Sequence, residues 1–134
     1  MPAIDRCQQN VVQALIKEGW QVSLKPYPLS ASLRRVYIDL RATRDNSEQL
    51  LLIEVKCFAD SETTLNDLYT ALGQYLVYRS LLAQRGIEAD LYLAIPTQIY
   101  HRVFKTLVGD LVEQLSIRMI LVDLARERID QWLS

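Results

Sequence analysis

The sequence is poor in the residues that characterise several large classes of protein. Its 134 residues include only four Gly and four Pro, which excludes collagen-like chains and chains rich in flexible linkers. Its two Cys do not make a disulfide framework, so we predict reduced, inert thiols at Cys7 and Cys57. No apolar run approaches the ~18 residues of a membrane span, and the first residues lack the apolar core of a signal peptide. These absences together predict a cytoplasmic protein that does not enter a membrane.

An excess of one charge is also missing. Fifteen basic and sixteen acidic residues give a net charge of −1, whereas modules that bind nucleic acids tightly usually carry a basic excess. The charges are nevertheless separated along the chain, because residues 25–44 are basic and residues 45–67 are acidic. The basic side chains of the first segment are Lys25, Arg34, Arg35, Arg41 and Arg44. They form either a solvated surface or a set of phosphate contacts near Asp39.

Apolar residues make up half of the sequence, which excludes disorder, and the length predicts one domain over residues 1–134. Their periodicity predicts the element order α-β-β-β-α-β-α-β, a mixed α/β sheet flanked by helices. The predicted helices cover residues 4–18, 64–84 and 97–115, and the predicted strands cover residues 20–24, 35–43, 50–58, 90–95 and 117–123. Residues 29–34 are predicted to form a loop. The pattern does not assign residues 129–133.

Three charged residues interrupt or border the most apolar strand. Glu54 and Lys56 are two apart, so they share one face of a strand that is otherwise apolar on both faces. Asp39 lies on the polar face of the preceding strand, from which it could approach Glu54. Two converging carboxylates repel each other, and a divalent cation bound by oxygen ligands relieves that repulsion. The pattern predicts Mg²⁺-assisted hydrolysis of a phosphodiester, with Lys56 orienting the attacking water or stabilising the developing charge.

A purely structural explanation of the Glu54-x-Lys56 triplet stays open. An E-x-K triplet arises by chance in about one chain in five of this composition, and an ion pair between Glu54 and Lys56 would account for it. Other catalytic chemistry has less support. The single histidine, His101, excludes a zinc site with several histidines and a His-based triad. No glycine-rich phosphate-binding motif is present.

The sequence resembles the XisH family over essentially its whole length. The segments that carry the resemblance are MPA-x-D, ALIKEGW, VYIDL, IEVKCF, ALGQYLVYRSLL, LYLAIP and the terminal I-D-Q-W. The resemblance implies a cyanobacterial factor that controls excision of the fdxN DNA element. It also implies a restriction-endonuclease-like fold of the PD-(D/E)xK type, with an α-β-β-β-α-β core and a C-terminal α-β addition.

The same resemblance implies roles for particular residues. Asp39 and Glu54 match the ligands of Mg²⁺ or Mn²⁺, and Lys56 matches the catalytic lysine of these nucleases. Gln74 and Tyr78 match a Gln-x-x-x-Tyr pattern on the helix behind the site, although Tyr78 could equally be a core residue. At Gln8 the chain departs from resolvase-like relatives, which often have Glu there. Asp5 could substitute for that Glu, but it fits a helix cap better.

Two functions therefore remain open at this stage. The first is a factor that contacts DNA weakly or with the help of a partner and cleaves it with Mg²⁺. The second is a catalytically silent regulator that docks a recombinase or a companion excision factor. The resemblance is compatible with a homo-oligomer, and it names no interface.

Overall fold

The chain folds into a mixed sheet with helices on both faces. The computed structural model describes residues 7–31, 34–45, 47–59 and 61–134. Ile4, at the start of the first predicted helix, and Asp5, a candidate for its cap, lie outside these residues. In the described part of the chain, no helix is long and apolar enough to cross a membrane.

Within the described ranges, eight strands form two sheets. They are β1 (Gln21–Ser23), β2 (Tyr27–Ala31), β3 (Arg34–Ile38), β4 (Leu40–Thr43), β5 (Leu51–Val55), β6 (Asp90–Pro96), β7 (Met119–Asp123) and β8 (Arg128–Leu133). The main sheet has the order β1-β4-β5-β6-β7-β8, and β2 pairs with β3 in a separate hairpin. The pairs β5–β6 and β6–β7 are parallel, and the remaining pairs of the main sheet are antiparallel. This architecture confirms the α/β class and the mixed sheet.

The helical segments after β5 connect the parallel strands, and helices cover both faces of the sheet. They are α1 (Gln8–Lys17), α2 (Thr64–Gln84), α3 (Thr97–Ile99), α4 (Lys105–Leu107) and α5 (Gly109–Gln114), with a 3₁₀ turn at Ser61–Thr63 and a π-helical segment at Tyr100–Phe104. α1 packs against residues of β4–β8 on one face. α2 and the later helical segments pack on the other face. The central strand β5 is therefore buried along its whole length.

The structure corrects the predicted strand over residues 35–43. That segment forms two strands, β3 and β4, with a bend at Asp39 between them. Ile38 packs into the core on the α2 side, whereas Leu40 and Ala42 pack on the α1 side. A regular strand over residues 35–43 would place these three apolar residues on one face, and that expectation was wrong because the bend at Asp39 interrupts the two-residue period.

Two further predictions need correction, and the structure assigns one segment that the pattern left open. The predicted loop over residues 29–34 is largely strand, because β2 continues past Pro28 to Ala31 and Arg34 begins β3. Residues 32 and 33 are outside the described part. The predicted helix over residues 97–115 is a series of short α- and π-helical segments. The unassigned C-terminal residues form β8, an edge strand that pairs with β7. Its pattern is hard to recognise because only Ile129 among its residues is fully buried.

Tyr75 offers a test of how α2 is fixed to the sheet. Its side chain is 1% exposed, and its hydroxyl donates to Leu91 O and accepts from Arg118 N, both at 3.1 Å. Replacing Tyr75 by Phe leaves a buried carbonyl and a partly buried N–H without that partner, so we expect a loss of about 1–3 kcal/mol in the free energy of unfolding, measured in urea. The control Tyr69→Phe, at a residue that is 62% exposed, should stay within about 0.5 kcal/mol of the wild type. Equal effects of the two changes would contradict this role of the Tyr75 hydroxyl.

Candidate metal and nuclease site

Glu54 lies near the end of β5, the most deeply buried strand of the sheet. Its side chain is only 3% exposed, and its register partner on the parallel strand β6 is Leu93. Leu52, two residues earlier, belongs to the core on the α2 side, so Glu54 points to the same side. A carboxylate in this position must have polar partners, because burial of an unpaired charge is costly.

Asp39 supplies those partners from the bend between β3 and β4. The Asp39 N–H donates to Glu54 Oε1 at 3.4 Å, and the Val55 N–H donates to Asp39 Oδ2 at 2.9 Å. The two carboxyl groups are also close enough for a hydrogen bond between their side chains. Asp39 is itself 8% exposed. The approach of Asp39 to Glu54 predicted from the sequence is therefore present, and the bend at Asp39 makes it possible.

The electrostatics of Glu54 follow from this geometry. Burial, and next the negative charge of Asp39, raise the pKa of Glu54 from 4.5 to about 8, against an opposing attraction to Lys56. A carboxyl group with such a pKa is largely protonated at neutral pH in the absence of a cation. A divalent ion between the two carboxylates would favour the ionised form of both groups.

Lys56 follows Glu54 by two residues and is half-buried. Its backbone N–H donates to Ala94 O at 3.0 Å, which continues the β5–β6 ladder by one step. Its ammonium attracts Glu54, yet the two side chains form no ion pair within 4 Å; the ion pairs between described residues involve Asp90, Asp123 and Asp130. A direct structural ion pair therefore does not explain the E-x-K triplet.

Tyr78 and Gln74 lie one helical turn apart on α2. Tyr78 is 6% exposed, and burial together with Glu54 and Asp39 raises the pKa of its phenol well above the usual range. The phenol is thus a neutral group close to the carboxylate pair. Gln74 is half-buried, and its Oε1 atom has no hydrogen-bond partner among the residues that the structure describes. The structure brings Tyr78 to the site, and it leaves the amide oxygen of Gln74 available to a further donor.

The five predicted nucleic-acid contacts differ in what else they bind. Arg41 lies over the Tyr27 ring and donates to Pro26 O, and Arg44 lies over the Trp20 ring and donates to Glu18 O. Lys25, Arg34 and Arg35 are exposed. Arg41 and Arg44 are therefore partly engaged within the protein, whereas the other three face solvent.

The two cysteines form a disulfide, which the sequence analysis did not foresee. Cys7 and Cys57 are bonded across a separation of 50 residues, and the Cys7 N–H donates to Cys57 Sγ at 2.8 Å. The prediction of reduced, inert thiols was wrong, and the argument from cysteine content to a reducing compartment loses its support. The pairing was missed because each residue alone has the pattern of a core position. Only the packing of α1 against the end of β5 brings the two sulfurs together.

The donor atoms fit a hard cation only in part. Asp39 and Glu54 offer carboxylate oxygens, the ligands that Mg²⁺ and Mn²⁺ prefer. Gln8 is buried on α1 and contributes no charge. Among the described residues, no group of three or more acidic, His or Cys side chains could hold a metal ion. The pair fits one ion that keeps most of its water ligands, and it does not fit a two-metal arrangement.

Comparison with known proteins identifies the family. The model of the family described as XisH protein matches residues 1–130. The chain belongs to the XisH family. A crystal structure of an XisH family protein from Nostoc punctiforme PCC 73102 is 30% identical with a TM-score of 0.86, and the match covers 97% of this chain and 100% of the other. The structure of an fdxN element excision controlling factor protein from Anabaena variabilis is 29% identical with a TM-score of 0.84, covering 94% and 96% of the two chains. No match was found among curated proteins. The XisH resemblance noted from the sequence is confirmed, and the fold is shared along nearly the whole chain.

Proposed function

We propose that this XisH protein controls the excision of a DNA element and contacts the DNA through a nuclease-like site that binds Mg²⁺ or Mn²⁺. The Anabaena variabilis relative is named as an excision controlling factor of the fdxN element. The observation that carries the metal site is the buried pair of Asp39 and Glu54, held together by two backbone hydrogen bonds. The pair follows the Asp…Glu-x-Lys order of PD-(D/E)xK nucleases, which supports a restriction-endonuclease-like reading of the fold.

Each residue of the site has a task in this proposal. Asp39 and Glu54 hold the cation, which would polarise a phosphate and acidify a bound water. Lys56, half-buried beside the carboxylates, orients the attacking water or stabilises the charge that develops on the phosphate. Tyr78 supplies a neutral hydroxyl, because its raised pKa keeps the phenol protonated. Gln74 can accept a hydrogen bond through Oε1, which no group in the described part of the protein uses.

Contact with the DNA backbone is assigned to the exposed Lys25, Arg34 and Arg35, with lesser parts for Arg41 and Arg44. Arg34 and Arg35 lie on β3, which leads directly to Asp39. At about 3.3 Å per residue, their backbone is within roughly 13–17 Å of Asp39 along the strand, which is compatible with contacts to phosphates near a cleaved one. The net charge of −1 limits the affinity, so weak or partner-assisted binding is expected.

Calorimetric titration with Mg²⁺ and Mn²⁺ tests the metal site. We expect one bound ion per chain in the wild type, at a pH near 8 where the carboxylates ionise, and at least a tenfold weaker affinity after Asp39→Asn, about 1.4 kcal/mol or more. The control Glu113→Gln removes an exposed acid on α5 and should leave the affinity unchanged. Equal affinities of the wild type and Asp39→Asn would exclude this pair as the ligands.

A second function is favoured by one observation, the neutral Gln8 buried on α1. In this alternative the protein is a catalytically silent regulator that docks a recombinase or a companion excision factor. The same titration separates the two proposals, because the regulator requires no cation at Asp39 and Glu54. Absence of ion binding by the wild type at pH 8 would support the regulator.

A further inference from the structure

The disulfide lies at the catalytic end of β5. Cys57 is the next residue after Lys56, and Cys7 is the residue before the buried Gln8 at the beginning of α1. Val55, two residues before Cys57, gives its N–H to Asp39. One covalent bond therefore ties the start of α1 to the segment that carries Lys56.

The segment beyond β5 is also strained. Phe58 has a φ of 55°, in the left-handed region that costs energy for any residue with a Cβ atom, and most for bulky ones. Its ring packs edge-to-face on Phe104 at 5.5 Å between centroids, in the core on the α2 side. Cys57 instead packs in the core on the α1 side. The disulfide and the Phe58 ring thus hold the segment from opposite faces of the sheet.

Few other bonds hold this segment in place. Lys56 N–H bonds to Ala94 O, but Cys57 and Phe58 form no backbone hydrogen bond with any other described residue. α1, by contrast, is anchored by Val11, Val12, Ala14 and Leu15, each at most 4% exposed. Loss of the disulfide would therefore release the segment after β5 without detaching α1.

We propose that the Cys7–Cys57 disulfide is a redox control of this site: oxidised, it holds Lys56 beside Asp39 and Glu54, and reduced, it lets the segment relax away from them. The effect on metal binding and cleavage rests on the proposed function. Reduction requires a dithiol, which supplies two electrons and two protons. One thiolate of the dithiol attacks a protein sulfur, which forms a mixed disulfide and releases the other protein sulfur as a thiol. The second thiol of the dithiol then attacks the mixed disulfide and releases the remaining protein sulfur, leaving two protein thiols and the oxidised dithiol.

Amide hydrogen exchange measured by NMR tests the structural part of this proposal. The samples are the oxidised protein, the same protein reduced with dithiothreitol, and the variant Cys7→Ser/Cys57→Ser, with the redox state checked by thiol alkylation and mass spectrometry. On reduction, the amides of Val55 and Lys56 should exchange about tenfold faster or more, while that of Ile53, inside β5, stays unchanged. The Ser variant should behave as the reduced protein does and should not respond to dithiothreitol. If that variant fails to fold, the comparison of oxidised and reduced wild type decides alone.

Equal exchange of Val55 and Lys56 in the oxidised and reduced proteins would overturn the proposal and leave the disulfide a structural link. Mg²⁺ titration of the same samples gives the functional readout, with about tenfold weaker binding expected in the reduced form, because the relaxed segment no longer fixes Asp39 through the Val55 N–H. Unaltered Mg²⁺ affinity on reduction would overturn the control of the site. Absence of Mg²⁺ binding in the oxidised form would remove the proposed function, and the exchange data would still decide whether the disulfide holds the segment.

Discussion

Replacing Glu54 by Gln is expected to stabilise the protein at pH 8 by about 2–3 kcal/mol while it abolishes Mg²⁺ binding. The buried carboxyl has a pKa of about 8 in the folded state and about 4.5 when exposed, so folding favours its protonated form. As the pH rises from 4.5 to 8, the unfolded chain loses this proton before the folded protein does. The free energy of unfolding therefore falls over that range and levels off above it.

The size of the effect follows from the same difference. Each pKa unit corresponds to about 1.4 kcal/mol, so the ionised Glu54 costs the folded protein several kcal/mol above pH 8, and partial relaxation reduces the recoverable part. Gln keeps an Oε1 acceptor for the Asp39 N–H and adds an amide that can donate to the Asp39 carboxylate. The variant loses the titrating group without losing the hydrogen bond.

Urea unfolding at pH 5 and at pH 8 measures this prediction. The stability of the wild type should decrease between the two pH values, whereas that of Glu54→Gln should change much less. Saturating Mg²⁺ should restore stability at pH 8 to the wild type but not to Glu54→Gln, because that variant does not bind the ion. Glu113→Gln, an exposed control, should follow the wild type within about 0.5 kcal/mol at both values. A Glu54→Gln protein that is less stable than the wild type at pH 8 would contradict the assignment of a raised pKa.

Replacing Lys56 by Ala is expected to reduce metal-dependent DNA cleavage by about 100-fold or more, since a group that stabilises charge in the transition state contributes on that scale. The fold should persist, because Lys56 is half-buried and makes no ion pair with Glu54 within 4 Å. Its backbone bond to Ala94 is retained by Ala. Loss of the ammonium should also raise the pKa of Glu54 further, because Lys56 lowers it.

Cleavage of supercoiled plasmid with Mg²⁺ or Mn²⁺ gives the rate, and circular dichroism gives the integrity of the fold. Lys105→Ala, at an exposed position on α4, is the matched control and should cleave at the wild-type rate. An unchanged rate in Lys56→Ala would remove Lys56 from the mechanism. Absence of cleavage by the wild type, together with absence of ion binding, would support the regulatory alternative.

Local sequence patterns predicted part of the candidate site. Glu54 and Lys56 could be placed on one face of a buried strand from their spacing alone, and Gln74 and Tyr78 on one face of a helix. The approach of Asp39 to Glu54 was predicted, but for an incomplete reason. A regular strand over residues 35–43 was expected, whereas a bend at Asp39 turns its carboxylate towards the Val55 N–H.

The low cysteine content was the least reliable basis for a prediction. Two Cys in 134 residues exclude a disulfide-rich scaffold, and that conclusion stands. The further step to inert thiols failed, because pairing depends on the distance between two side chains and not on their number. A separation of 50 residues carries no local signal of contact.

By itself, the sequence determined the α/β class, the long helix α2, the buried strands and the membership of the XisH family. The structural features follow from apolar periodicities of two and 3.6 residues, and the family membership follows from sequence segments distributed along the whole chain. Only the tertiary structure decided the bend at Asp39, the separate β2–β3 hairpin, the edge strand β8 and the Cys7–Cys57 bond. The bend and the disulfide depend on contacts between segments distant in sequence, whereas the hairpin and β8 pair with neighbouring segments through strands that lack a clear apolar pattern. In all four cases the energies are set by burial and hydrogen bonding in the assembled fold.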